Sequence, residues 1–179
     1  MLTSTEREVL LALARASIAA TVTRREPPTS TGSPTLPDAS GVFVTIKRAG
    51  TLRGCLGTLR NERGLAAEVS RCASEAASAD PRFPPVERED LPGLRVEVSV
   101  LGPLEPIDPS PEAFTIGVHG LVVDDGSHRG LLLPQVAVEW GWSAEEFLSH
   151  TALKAGLPPD AWRRPCTRVY RFAAEVFGD

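Results

Sequence analysis

An α+β fold, with helices flanking a mostly antiparallel or mixed sheet, is the class that this 179-residue sequence predicts. Three observations predict it. Several short segments alternate apolar and polar residues with period two, turn residues more often than long crossovers separate them, and the helical patterns do not alternate regularly with the strands. At 42% hydrophobic the chain can bury one substantial core, so residues 1–179 are expected to form a single domain, at most with a small lobe.

Residues 4 to 22 place Leu10, Leu13, Ser17 and Ala20 on one stripe, which predicts an amphipathic helix capped by Ser4 or Thr5. The stretch EPPTSTGSPTLPDAS, 26 to 40, holds four prolines among small polar residues and is expected as an exposed loop. GVFVTIK (41–47) reads as a strand, RAG (48–50) as its turn, and TLRGCLGTL (51–59) as the strand that pairs with it. Over 64–79 the period becomes helical: Leu65, Val69, Cys72, Ala73 and Ala76 face one way, while Glu68, Arg71, Glu75 and Ser78 face the other.

DPRFPPV (80–86) ends that helix, LRVEVSVL (94–101) alternates as a strand, and the proline-rich stretch 102–112 is expected as a loop. Residues 116–133 predict two strands around an Asp125–Gly126 turn, and Pro134 opens a short helix. Ser143 and Glu146 form a capping-box pattern for a helix over 144–155 that Gly156 closes. RVYRFAAEVF predicts a last strand, with Tyr170, Phe172, Ala174 and Val176 on one face.

The formal net charge is −4, and no basic stripe or aromatic-basic platform stands out, which argues against a nucleic-acid partner. No stretch approaches the roughly 18 to 20 apolar residues a membrane span needs. The first 25 residues lack an export pattern, so a cytoplasmic protein is expected. Three widely spaced cysteines fit neither a disulfide framework nor a CxxC motif. Neither GxGxxG nor GxxxxGK occurs, and no ligand spacing indexes a metal, so neither cofactor nor metal is expected.

The candidate chemistry centres on Cys55. Gly54 and Gly57 flank it inside a strand, where each glycine weakens the strand by about 0.5–1 kcal/mol relative to alanine. Such a pattern asks for a bulge that turns the sheet or a gap that faces a ligand. Arg53 is the candidate charge partner for the thiol or a ligand, while a buried, inert cysteine is the structural alternative. Asp80 stands where a helix dipole disfavours a negative charge, which marks a functional position, an ordinary turn or a pair with Arg82. Glu97, on the polar side of its strand with Thr45 and Lys47, and Gln135 are candidate polar contacts. His119, between Val118 and Gly120, is the candidate base. The cluster Gln135, Glu139, Trp140 and Trp142 reads chiefly as helix packing.

Taken together, LRGCLG (52–57), DPRF (80–83), VEVSVL (96–101), IGVHGL (116–121), GLLLPQV (130–136) and GW (141–142) followed by FLSHTALKAGL resemble the AMMECR family, protein A of the AmmeMemoRadiSam system. In that family the hallmark motif usually has isoleucine where Leu56 stands here. The match runs over nearly all of residues 42–177. The resemblance implies an α+β fold with a larger and a smaller lobe, a cleft between them and the LRGCLG motif near it. It also implies Memo-like and radical S-adenosylmethionine proteins as partners, and it supplies no settled reaction. Two functions stay open: a small-molecule cleft with Cys55 as candidate nucleophile, and a non-catalytic interaction module that uses the same motif as a rigid surface.

Overall fold

The computed structural model describes residues 2–29, 36–59 and 61–179, and these form two compact units, 1–101 with 175–179, and 102–174. The class is α+β, and the pairings within each unit are antiparallel. The centre of the 26–40 loop, residues 30–35, lies outside the described residues, while 26–29 and 36–39 have no regular structure.

In the first unit, α1 (Ser4–Val22) and α2 (Leu65–Ser78) pack on each other and on a sheet built from β1 (Gly41–Arg48), β2 (Thr51–Thr58) and β3 (Leu94–Leu101), with β1 in the middle. Alternation explains which face they cover. Val42, Val44 and Ile46 of β1 and Val96, Val98 and Val100 of β3 point toward the helices and are buried with Leu10, Ile18, Val69 and Cys72. Burying each large apolar side chain contributes about 1.5–3 kcal/mol. The helices also meet through a polar contact, the Ser17 hydroxyl donating to Ser70 Oγ at 2.9 Å in a buried setting.

The cap of α1 is Thr3 rather than Ser4 or Thr5: its side chain accepts from the Glu6 amide, and the Glu6 carboxylate accepts the Thr3 amide at 2.6 Å. Glu68, expected on the polar side of α2, is buried because Arg71 Nε donates to it at 2.8 Å while Nη1 reaches Glu75. The β1–β2 turn is the two-residue Ala49–Gly50, both with positive φ, which matches the twist of paired strands. Residues 175–179 return to this unit, where the Val96 amide donates to Asp179 Oδ1 at 2.8 Å.

In the second unit, β5 (His119–Asp124) lies between β6 (Arg129–Leu132) and β7 (Arg168–Gly178), whose first seven residues belong here. A three-residue strand, β4 (Glu105–Ile107), pairs with β7 inside the stretch expected to be a loop. Helices α3 (Pro134–Trp140) and α4 (Ala144–Lys154) complete the unit, with α4 capped by the Ser143–Glu146 box as its sequence pattern predicts. Leu121, Val123, Phe147, Leu148, Trp162 and Val169 form its core.

The tightest backbone approach in the first unit is at Gly54, where a Cβ would run into the carbonyl oxygen of Ala76 on α2. Helix backbone has no side-chain freedom with which to yield. Gly54→Ala is therefore expected to lower unfolding stability by about 1–3 kcal/mol, read from urea denaturation, with the same fold retained.

Candidate functional site

The LRGCLG segment occupies β2, at the edge of the first unit's sheet, and its register contains the bulge that one reading of its glycines asked for. Ile46 pairs with Gly54 and Lys47 with Leu52, so Arg53 is the extra residue. Arg53 is not aimed at the thiol: its Nη2 lies 3.3 Å from Asp90 Oδ2, and Arg48 binds the other oxygen of the same carboxylate. The Glu87 amide, which donates to Asp90 at 3.1 Å, and the two guanidiniums hold the Asp90 carboxyl below its usual range. Arg53 thus shares the Asp90 carboxylate with Arg48 rather than pairing with the thiol.

The glycines likewise serve the protein's own packing. Gly54 admits the Ala76 carbonyl, and Gly57 is covered by the Phe43 ring, its cross-strand partner. Neither has positive φ. The expectation that they open a gap for a ligand is thus replaced by close helix–strand and ring–strand contact.

Cys55 itself is held on three sides. Its amide donates to Asp80 Oδ2 at 2.9 Å, its carbonyl accepts from Arg82 Nη2 at 3.1 Å, and its sulfur accepts the Thr45 hydroxyl at 3.2 Å. Because β2 is an edge strand, the amide and carbonyl turned away from β1 would otherwise be unpaired. Asp80 and Arg82 supply the missing ladder partners. Asp80 is only 4% exposed, and Arg82 grips it with Nε to Oδ1 at 2.9 Å and Nη2 to Oδ2 at 2.7 Å. These Arg82 hydrogen bonds, together with the Cys55 and Arg82 amides, hold the Asp80 carboxyl well below the ordinary range against the opposing effect of burial. The pair raises the Arg82 pKa in turn. An aspartate that offends the dipole of α2 is retained because it closes this edge.

Across the outward face of the sheet, register lines up Cys55, Thr45 and Glu97 on β2, β1 and β3. Lys47, two residues along β1, brings Nζ to 3.5 Å from Glu97 Oε2. All four side chains are half-buried. A groove of about 360 Å³ lies on the Lys47–Glu97 end, also lined by Gly50, Arg95, Phe177 and Asp179.

Among the expected site residues, Cys55, Asp80 and Arg82 thus meet directly, and Glu97 joins them through Thr45. Asp90, Arg95 and Asp179 went unnoticed in the sequence, where each stands as an isolated charge with no local pattern. His119 and Gln135 belong to the second unit. His119 Nδ1 accepts the Thr115 amide at 3.0 Å and closes the turn that leads into β5, and Gln135 is half-buried in the first turn of α3. Cys72 is buried, with its thiol pushed up to about 11 by loss of solvent, whereas Cys166 is exposed.

The Asp80 clamp has a definite pH signature. A carboxyl whose folded pKa is depressed stabilises fully above its unfolded value, near 3.9, and loses that contribution as pH falls toward the folded value. Asp80→Asn is expected to cost about 1–3 kcal/mol at pH 7, since the Cys55 amide and Arg82 lose a charged acceptor. In urea unfolding the gap from the parent protein should shrink once the pH drops below about 4.

A family model described as AMMECR1 matches residues 11–177. A protein of Methanothermobacter thermautotrophicus is 53% identical over 142 residues, covering 76% of this chain and 74% of its own. A protein of Thermococcus gammatolerans is 49% identical over 95% of this chain and 88% of its own. The crystal structure of uncharacterized protein PH0010 from Pyrococcus horikoshii superposes with a TM-score of 0.85 at 45% identity, covering 97% of this chain and 91% of that one. This chain belongs to the AMMECR1 family.

Proposed function

We propose that the outward face of β1–β3 binds a small molecule bearing an anionic or amide group, with Cys55 as the thiol that engages it. The observation that supports this reading is the half-buried polar row Cys55–Thr45–Glu97, with Lys47, beside the groove. A purely structural outer face would leave such side chains in solvent. Here Lys47 and Arg95 offer cations to an anionic end, and Glu97 accepts from an amide N–H. The Asp80–Arg82 clamp fixes the Cys55 peptide, so the thiol is presented by a rigid strand rather than by a mobile loop. Cytoplasmic work beside Memo-like and radical S-adenosylmethionine proteins, as protein A of that system, belongs to the same proposal and rests on the family resemblance alone.

A second reading has its own support. With Gly54 and Gly57 filled by the protein itself and Arg53 committed to Asp90, the motif can equally serve as a rigid docking surface in which Cys55 only packs.

The two part on thiol accessibility and ligand retention. In a Cys166→Ser background, native mass spectrometry of the freshly purified protein is expected to show a retained small molecule, and iodoacetamide to label Cys55 at least about threefold more slowly in that form than after stripping. Lys47→Ala combined with Glu97→Gln should abolish retention. A protein that carries nothing, and whose Cys55 labels no faster than a free cysteine peptide, would leave only the docking surface standing.

A further inference from the structure

The chain that enters β7 is a run of cations. Residues 161–174 hold four arginines, Arg163, Arg164, Arg168 and Arg171, and no acid, in a chain whose formal net charge is −4. Arg171 is engaged inside the second unit, where it donates to Glu105 at 2.9 Å and to the Ala113 carbonyl at 2.8 Å. The other three line a depression of about 360 Å³, and among the described residues Asp108 is the one acid that lines it. Such a volume falls in the range of about 300–1,000 Å³ that suits a small ligand.

These guanidiniums are oriented but not used up. Arg163 lies over the Trp162 ring, 4.4 Å from its centroid, and reaches Glu145 through Nη2 alone at 3.1 Å. Arg164 stands 3.6 Å from Asp160, too long for a hydrogen bond. All four side chains of these two pairs are 49–69% exposed, where an ion pair contributes little and yields readily to a competitor. Arg168 has no carboxylate within 4 Å among the described residues. Asp124 faces it across the β5–β7 ladder, yet Asp124 Oδ1 accepts the Gly126 amide at 2.7 Å and Oδ2 lies 3.9 Å from Arg129. Arg168 and Tyr170, two residues apart on β7, share a face, and Pro106 of β4 pairs with Tyr170 on that face. A cation without a partner, a half-buried phenol and a rigid apolar wall therefore meet on one side of the strand.

Charge identifies the ligand. Three arginines less one aspartate leave the lining with two positive charges in surplus. A phosphate monoester carries about −1.5 to −2 at pH 7, with its second ionisation near pH 6, and its three oxygens suit guanidinium forks. A carboxylate supplies about half that charge. The sequence has no glycine-rich phosphate loop, and none is needed here, since the donors are side chains.

We propose that this depression binds the phosphate monoester of an apolar or aromatic group, with the phosphate among Arg163, Arg164 and Arg168 and the organic part against Tyr170 and Pro106.

Isothermal titration of the full chain with phenyl phosphate provides the test, and phenyl sulfate, of the same shape but a monoanion, is the control. Phenyl phosphate is expected to bind at least about tenfold tighter than the sulfate at pH 7.5, and to lose most of that advantage at pH 5, where it too is a monoanion. Both of these readings use the parent protein. Arg164→Ala and Arg168→Ala should each weaken binding at least about fivefold with unchanged thermal unfolding, since both side chains are exposed. Lys47→Ala, in the groove of the first unit, should leave it unaltered. Equal binding of the two esters, no saturable binding, or a loss caused by Lys47→Ala and not by Arg168→Ala would overturn the proposal. So would a hexaglutamate peptide that binds tighter than phenyl phosphate, since the occupant would then be an acidic protein segment.

Discussion

The meeting of α2 with β2 at Gly54 governs the first unit. Helix backbone can reach strand backbone only where no Cβ intervenes, and the Ala76 carbonyl sits in that space. Once α2 is anchored there, the chain leaving it four residues later has little choice of position. Asp80 arrives beside the free edge of β2, accepts the Cys55 amide and organises Arg82 onto the Cys55 carbonyl. One missing side chain thus leads to a closed strand edge, a fixed thiol and a carboxylate held well inside its charged range.

The same geometry distributes the arginines in an order opposite to their sequence distance from the cysteine. Arg53, two residues from Cys55, is turned by the bulge onto Asp90, while Arg82, twenty-seven residues away, reaches the Cys55 carbonyl. Asp90 gathers Arg48 and Arg53, and Asp80 gathers Arg82, so each buried acid is matched by cations at its own edge of the sheet. Two nearly buried carboxylates without such partners would cost several kcal/mol each. The outward face, in contrast, keeps Lys47 and Glu97 in a long 3.5 Å pair that is partly open to solvent.

What could be read from residues alone follows the range of the interaction that decides each feature. Helix α4 was legible end to end because its signals, Ser143, Glu146 and Gly156, lie inside the element itself. The first cap is hard to place because three hydroxyl residues stand in a row and two of them, Thr3 and Thr5, have a glutamate three residues on; the box forms on Thr3 and Glu6. Strand β4 was hidden: three residues containing a proline carry no periodic signal, and their partner on β7 lies more than sixty residues on. Glu68 was placed outside because a helical wheel counts charge as exposure, yet Arg71 one turn away makes its burial tolerable. The family motifs gave the class and the importance of residues 52–57, but a glycine's reason depends on what faces it, and what faces Gly54 comes from another element.

The bulge shows why the site itself resisted derivation. Counting outward from the two-residue turn at Ala49–Gly50, an unbroken ladder pairs Thr45 with Gly54, which leaves the cysteine without a hydroxyl neighbour. The extra residue, Arg53, moves the register by one, so that Thr45 faces Cys55 and its hydroxyl reaches the sulfur. A one-residue shift also changes which face a side chain takes. Without it Arg53 would pair with Ile46 and Cys55 with Val44, and both would alternate onto the face that α2 covers. The bulge therefore does in the sheet what the two flanking glycines were expected to do by flexibility: it decides that the sulfur, and not the bare Gly54, stands in line with Thr45 and Glu97.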